Sequence, residues 1–359
     1  MARKCKIVSS SKREILFLFN LSVRKQNEIL SHSIDWINEF SNHFTKVFVF
    51  TMEGDGNDNS AILGLVKRLK TKDDDKGIMI VLRCLRSLPD IYRYRKKASV
   101  FFHMNHKPAL VVGFFLRVWG IPSGLWYSHK QASSSLKIAH TLVDFVVSST
   151  TEAFPIKSNK LLVTGHGLSK VFLNPINENT RKLGIVHVGR VVPVKKIEKI
   201  IFALGGLDFE YRSIDLIGIT PNLRYKEFIE EIAARLNVRI TFLGPMSKEK
   251  LPKQLGYYSA CYSGTEKSVD KAPLEAASLG CFVVSNNDSV MRLSGMDLLL
   301  SRTNNGQIPK SLQGLLSELI VQKTYDTLES RLFISARSRE SNSLASTIKL
   351  ISQELIEGK

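Results

Sequence analysis

Two short stretches carry residues whose types and spacing could do chemistry. The first, "VHVGRVVPVKKIEKIIFAL", ends an apolar run at Gly189, follows it with Arg190, and places Lys195 five residues on, where a helix is predicted to begin. Gly189 lets the backbone approach a ligand closely. Arg190 offers a planar fork and Lys195 a point charge, and together they can neutralise a diphosphate leaving group without a metal. The alternative is a pair of solvated cations, although basic residues oppose the dipole at a helix start. The second stretch, "ACYSGTEKSVDKAPLEAASLGCFVV", reads as a strand, a polar loop, a helix opening on "APLE" and another strand. Orphan amides at that helix start can hold a phosphate. Glu275, about a turn in, could accept two hydrogen bonds from a ribose diol, or it could merely complement the helix dipole.

Positioning such residues takes an alternating scaffold, and the chain supplies one. Strands are expected at "EILFLF", "KVFVFT", "ASVFFHM", "GLWYS", "DFVVSS" and "KLLVTG", with a further apolar run at "GIMIVLRCL". Amphipathic stretches lie between them, including a helix running through Leu69 and another over "PALVVGFFLRVWG". A second series starts at "LGIVHVGR" and continues through "SIDLIG", "RITFLG", "ACYSG" and "CFVVS", again with helices between. Strands separated by helices at this spacing imply parallel sheets covered on both faces. The fold class is therefore α/β, with two doubly wound, Rossmann-like domains facing across a cleft. At 359 residues two domains are also the default. The polar, Pro/Asn-rich "FLNPINENTRK" marks the junction. The expected units are residues 1–175, residues 176–335 and a final helical segment, 336–359.

Composition narrows the class of partner. Lys and Arg number 51 against 33 Asp and Glu, a net +18, and residues 1–175 carry 26 of the basic and 13 of the acidic side chains. Such a field suits phosphorylated ligands, anionic lipid or nucleic acid. No RNP-type or zinc-finger pattern is present and the basic residues are dispersed, so nucleic acid is not the expected partner. The cysteines Cys5, Cys84, Cys261 and Cys281 lie far apart, which argues for reduced thiols in the cytoplasm. No apolar run approaches the roughly 20 residues of a membrane span, and the N-terminus lacks a small-residue cleavage site. The basic, aromatic stretch "RCLRSLPDIYRYRKK" (83–97) could dock the first domain on an anionic membrane surface, which would place the protein on the inner face of the membrane.

The two chemical stretches, in this order and about 70 residues apart, resemble the C-terminal half of the retaining GT-B glycosyltransferases of family four. "GLWYSHK" is similar to the segment where that family carries a histidine at a strand end, and "KLLVTGHGLSKVF" to the motif that closes its first domain. The tail "SRESNSLASTIKLISQEL" resembles the last helix of such chains, which packs back on the first domain. The resemblance implies metal-independent transfer of a sugar, with retention, from a nucleotide diphosphate sugar to a lipid-linked or glycan acceptor, with no cofactor besides the donor. Carried onto this chain, Gly189, Arg190 and Lys195 grip the diphosphate, backbone amides near Ala272, Pro273 and Leu274 cap it, and Glu275 binds the ribose. His129 faces the sugar and acceptor across the cleft. Related readings are a GT-B sugar-nucleotide epimerase and a catalytically silent nucleotide-sugar binder.

This chain also departs from the family pattern. The family places a second acid eight positions before the glutamate at 275, where this chain has Lys267; Glu266 is one place too far. A subset of the family carries Asp-Lys just before the helix, so Asp270, with Lys271, is expected to take over the sugar contact. Lys196 replaces the usual glycine after the phosphate-binding lysine, and "FNLSVRKQN" lacks the glycine pair of many members, leaving Arg24 or Lys25 as substitutes. Elsewhere, His103 and His106 in "FFHMNHKP" could line the cleft, but a metal site is not expected from an i, i+3 pair alone. His166 lies between two glycines at an interdomain turn. The acidic run Asp73 to Asp75 reads as a solvated turn, and Ser148 to Thr151 as a cap.

Overall fold

The computed structural model describes residues 13–22, 32–53, 66–68, 81–82, 84–173, 184–266, 268–303, 311–321 and 327–357. Arg24, Lys25, Asp73 to Asp75, Arg83 and Lys267 lie outside them.

The first sheet contains β1 (Ile15–Ser22), β2 (Lys46–Glu53), β3 (Val66–Arg68), β4 (Ala98–His103), β5 (Ser123–Trp126), β6 (Phe145–Ser148) and β7 (Leu161–Val163), all parallel, in the order β3-β2-β1-β4-β5-β6-β7. Its strands are continuous apolar runs because both faces are covered. Phe17, Phe19 and Phe102 face one layer, while Leu16, Leu18 and Phe101 face the other. The first layer holds α2 (Leu88–Arg93), α3 (Lys107–Val118) and α4 (Ser134–Leu142), which bury Ile91, Val112, Leu116, Leu136 and Ala139. The second layer holds α1 (His32–Phe40), whose Trp36, Ile37 and Phe40 are buried.

Two sequence expectations are corrected in this sheet. The segment expected to be helical through Leu69 instead forms β3, pairing Val66 to Arg68 with Val49 to Thr51. Backbone groups on the outer edge of β2 need partners, and that pairing overrides local periodicity. In the run "GIMIVLRCL", residues 77–80 lie outside the described set, and Val81, Leu82, Cys84 and Leu85 are helical.

The second sheet contains β8 (Ile185–Val188), β9 (Ser213–Ile217), β10 (Arg239–Gly244), β11 (Ala260–Ser263) and β12 (Phe282–Ser285), parallel in the order β10-β9-β8-β11-β12. Strand order reverses between β8 and β11, and a crevice opens at the carboxyl ends of strands at such a point. The helices are α5 (Ile197–Gly205), α6 (Leu223–Arg235), α7 (Leu251–Leu255), α8 (Lys271–Ser278), α9 (Asp288–Ser294), α10 (Met296–Thr303) and α11 (Leu312–Leu316). Ile197, Ile200, Ile201 and Leu204 of α5 are fully buried, each worth about 1.5–3 kcal/mol relative to exposure.

Two last helices tie the sheets together. α12 (Leu328–Ser341) lies on the second domain, where Ser338 donates to the Leu274 carbonyl at 2.8 Å and Ser335 to that of Ser278 at 2.6 Å. α13 (Leu344–Glu357) crosses back, burying Leu344, Ile348, Ile351 and Leu355 against Trp36 and Phe40, while Ser99 donates to the Leu355 carbonyl at 2.7 Å. The crossing meets the first interdomain segment directly. Leu168 N–H donates to Asn342 O at 2.6 Å, and a Cβ on Gly165 (φ +74) would lie 1.9 Å from Ser341 O. Only glycine fits there.

Candidate active site

The site begins where β8 runs out. Gly189 has φ +143 and donates its N–H to Ile217 O at 2.9 Å. Gly218, at φ +144, is so close that a Cβ on it would lie 2.1 Å from Gly189 O. Two strand ends thus touch backbone to backbone. Arg190 follows, exposed and without an ion pair among the described residues. A short 3₁₀ turn, Pro193–Lys195, leads to Lys196, which is left-handed (φ 49, ψ 45) before α5 starts. That conformation explains why a glycine suits position 196.

Lys195 reaches across to the loop before α8. Its Nζ lies 2.7 Å from each Asp270 carboxylate oxygen, and Thr265 donates to Oδ2 at 2.6 Å. The turn and the loop also meet through backbone, since a Cβ on Gly264 would lie 2.2 Å from Lys195 O. Asp270 stands at the cap position of α8 but its side chain caps nothing, because Lys195 and Thr265 occupy it. The amides of Lys271, Ala272 and Leu274 therefore open the helix without a side-chain cap, and Pro273 contributes no N–H.

Glu275 is partly buried and, among the described residues, its carboxylate accepts no hydrogen bond and forms no ion pair. Burial raises its pKa, opposed by the nearby Lys271 charge. Burial lowers the pKa of Lys271, while Glu275 pulls it back up. Both residues also feel Lys248 and Asp35, which form an ion pair between the loop after β10 and the first turn of α1. Neither Asp35 nor Lys248 stands out in the sequence, because a cross-domain pair leaves no local pattern.

The facing wall comes from the first domain. His129 follows β5 with its residue exposed overall, and desolvation of its ring by the surrounding atoms lowers its pKa. Its neighbour Lys130 donates to the Glu266 carbonyl at 3.3 Å, bringing this loop against the loop before α8. His103 is buried, stacked on Trp36 with centroids 4.3 Å apart, and burial pushes its pKa down to about 3. His106 turns aside to Ser135, at 2.8 Å. Burial, then the Lys271 charge, drives His166 to about 4, and its backbone N–H donates to the Asn342 side-chain oxygen at 3.1 Å. Beneath the Lys195 turn, burial drives His187 to about 4; its Nδ1 donates to Tyr262 O at 3.2 Å. The sequence hid His187 inside an apolar strand.

Glu266 lies elsewhere. Its carboxylate takes Lys196 at 2.5 Å and Lys199 at 2.8 Å at the start of α5, and those hydrogen bonds hold its pKa down at about 2. Among the described residues, no group of three His, Cys, Asp or Glu could hold a metal ion, and no helix is long and apolar enough to cross a membrane. The stretch 83–97 ends where β4 begins, so its Arg95 and Lys96 lie at the amino edge of the first sheet, opposite the cleft. Arg13 fixes that edge by donating to the Arg95 and Ala98 carbonyls.

These two facing α/β domains have the GT-B fold of glycosyltransferases. The structure of HepE (Alr3699) from Anabaena in complex with UDP superposes with a TM-score of 0.70 at 15% identity, covering 95% of this chain and 99% of that one. A glycosyltransferase from Rickettsia africae ESF-5 gives 0.71 at 12% identity, over 96% and 100% of the two chains. The lipopolysaccharide outer core galactosyltransferase WaaB in its apo form gives 0.66 at 13% identity, over 94% and 98%. No family model matches the sequence, and no curated protein does so either.

Proposed function

We propose that this chain is a retaining, metal-independent glycosyltransferase of family four that moves a hexose from a nucleotide diphosphate sugar to a lipid-linked or glycan hydroxyl. One observation carries the reading: at the β8/β11 crevice, the Lys195 turn and the uncapped start of α8 are joined through Asp270, with the Glu275 carboxylate, unpaired among the described residues, one turn beyond. Cleaving a glycosyl–phosphate bond releases a diphosphate. Preorganised donors aimed at that charge are the largest catalytic contribution available. Arg190, Lys195 and the amides of Lys271, Ala272 and Leu274 take this role, and Glu275 takes the ribose diol.

His129 meets the sugar from the first domain, the acceptor side, for which residues 1–175 are the proposed unit. Asp270 acts through Lys195, holding the ammonium in place for the phosphate. UDP is the first nucleotide to try, since HepE was crystallised with UDP and with UDP-glucose.

A thermal-shift panel of UDP, GDP, ADP and their sugars tests the proposal. A ligand at a hundred times its dissociation constant adds about 2.7 kcal/mol. One nucleotide series should shift the melting curve in EDTA, and Arg190→Ala should remove most of that shift. With an accepted glycan, NMR of the product should show the donor's anomeric configuration. No shift with any nucleotide, or free epimerised sugar without an acceptor, overturns the reading.

A further inference from the structure

We propose that His187 is a positioning residue of the donor site, one that takes a proton onto Nε2 when a nucleotide diphosphate sugar fills the Lys195 turn. This rests on the donor site proposed above. The residue is 1% exposed, on β8, two positions before Gly189. Its Nδ1 lies 3.2 Å from the Tyr262 carbonyl oxygen. A carbonyl only accepts, so Nδ1 carries the hydrogen and the neutral ring leaves Nε2 as a bare acceptor. That Nε2 is buried and, among the described residues, has no hydrogen-bond partner. Buried polar atoms are nearly always partnered, and one that is not calls for an explanation. This one also has a direction: a Cβ on Gly189 would lie 3.5 Å from His187 Nε2 and 3.9 Å from Lys195 Cε. The bare nitrogen and the lysine stem therefore border the same space beside Gly189, at the turn that receives the diphosphate in the proposed function.

The surrounding charges are balanced against one another. Lys195, from the turn, opposes protonation of the ring, and Asp270, from the loop before α8, favours it; these two are already paired. The backbones of Tyr262 and Arg190 also favour the protonated ring. On α5, Glu198 accepts from the Tyr225 hydroxyl at 2.6 Å, while Glu266 takes Lys196 and Lys199. On α8, Lys271 and Glu275 act on each other. From β9 the residue in register is Leu216, which carries no charge. Against these groups alone burial wins, and the ring stays neutral down to about pH 4. A diphosphate adds two negative charges beside Lys195 and shifts that balance. An opposite charge within about 4–6 Å moves a pKa by about 1–3. A lone pair on Nε2 repels phosphate oxygen and an Nε2–H attracts it, so binding and protonation favour each other. The proton comes from solvent and forms one N–H bond; no other bond is made or broken. The nucleotide sugar then meets a third positive charge beside those of Arg190 and Lys195.

Isothermal titration calorimetry tests the assignment. The probe is the nucleotide sugar that the thermal-shift panel selects, UDP-glucose first. Both of its phosphates are esterified, so neither titrates near neutrality as the terminal phosphate of UDP does. Affinity should rise about three- to tenfold from pH 8 to pH 6. Runs at pH 6.5 in buffers of different ionisation heat should show at least about half a proton taken up per ligand bound. His187→Gln, whose amide can still donate to the Tyr262 carbonyl, should bind with an affinity flat across that range and take up no proton. If that variant does not fold, NMR of labelled histidine in the unaltered chain reads the same event. The His187 titration midpoint should climb by at least about one pH unit when the nucleotide sugar is added. A flat affinity in the unaltered chain, an unmoved midpoint, or a pH dependence that survives His187→Gln overturns the assignment. Affinity lost by one factor at every pH would also overturn it, leaving His187 a packing residue. Absence of binding at any pH would remove the donor site itself, a result distinct from binding without proton uptake.

Discussion

Replacing Lys195 by methionine tests the centre of the site most directly. The Lys195 and Asp270 side chains are 13% and 19% exposed, and the ammonium touches both carboxylate oxygens. Fully exposed pairs contribute about 0.2–1 kcal/mol, whereas breaking a buried pair costs about 3–5 kcal/mol because a charge is stranded. This pair lies between, and Thr265 still donates to the abandoned carboxylate, so Lys195→Met should cost about 2 kcal/mol. For a domain of this size that is a fall in Tm of about 4–8 °C. Asp270→Asn alone should cost less, since the amide oxygen can still accept from lysine. The double variant should recover at least half of the Lys195→Met loss, because no charge is stranded.

Turnover separates two roles for Asp270. If it only positions Lys195, Asp270→Asn lowers kcat about tenfold, and the double variant is no slower than Lys195→Met, since residues acting as a unit are not additive. If Asp270 contacts the sugar itself, the two losses multiply. Multiplied losses would refute the positioning role, and an unchanged Tm in Lys195→Met would refute the pair.

Three further outcomes are expected. Glu275→Gln should weaken UDP binding about tenfold to a hundredfold, the worth of one or two hydrogen bonds to a charged group, measured by calorimetry; unchanged affinity removes it from the ribose site. Glu266→Gln should leave kcat/KM within about threefold, because its carboxylate is held by Lys196 and Lys199 at the start of α5 and the Lys130 bond uses only its backbone; a hundredfold loss would make it a substrate ligand. Stability should fall on acidification below pH 6.5. There the unfolded chain binds protons that buried His103 (about 3) and His187 (about 4) refuse in the folded state. Between pH 7 and 5 each should contribute about 2 kcal/mol of loss, and His187→Gln should narrow the difference in Tm between those pH values; an undiminished difference would show that His187 does not carry it.

The parallel architecture was legible because buried strands are written as continuous apolar runs, as in "FLF" of β1 and "FVVS" of β6 and β12. The turn at Gly189 and the start of α8 were legible as local patterns. The edge strand β3 was not, because its existence depends on the exposed edge of β2 and not on its own periodicity. Nor was the Asp35–Lys248 pair, which joins residues 213 positions apart across two domains. His187 was hidden because a buried histidine in a β run is marked only by its partners, here the Tyr262 carbonyl.

The two departures that looked like separate losses in the sequence are one arrangement in the fold. A lysine at the left-handed position 196 costs backbone strain that glycine avoids, on the order of 1 kcal/mol. Its ammonium, with that of Lys199, binds Glu266, the acid that stands one residue away from the family's position. A glutamate so held has both its ion pairs at the start of α5, and the ion pair offsets part of the strain that lysine carries at this position. Exchange at one position therefore favours exchange at the other. Restoring glycine at 196 alone should relieve the strain but loosen the Glu266 loop, and with it the Lys130 contact from the opposite domain. Lys196→Gly should thus change stability by less than about 1 kcal/mol, and raise KM for the donor only within the same roughly threefold allowed for Glu266→Gln, through a less closed cleft. A drop in Tm of many degrees, with KM unchanged, would separate the two departures again.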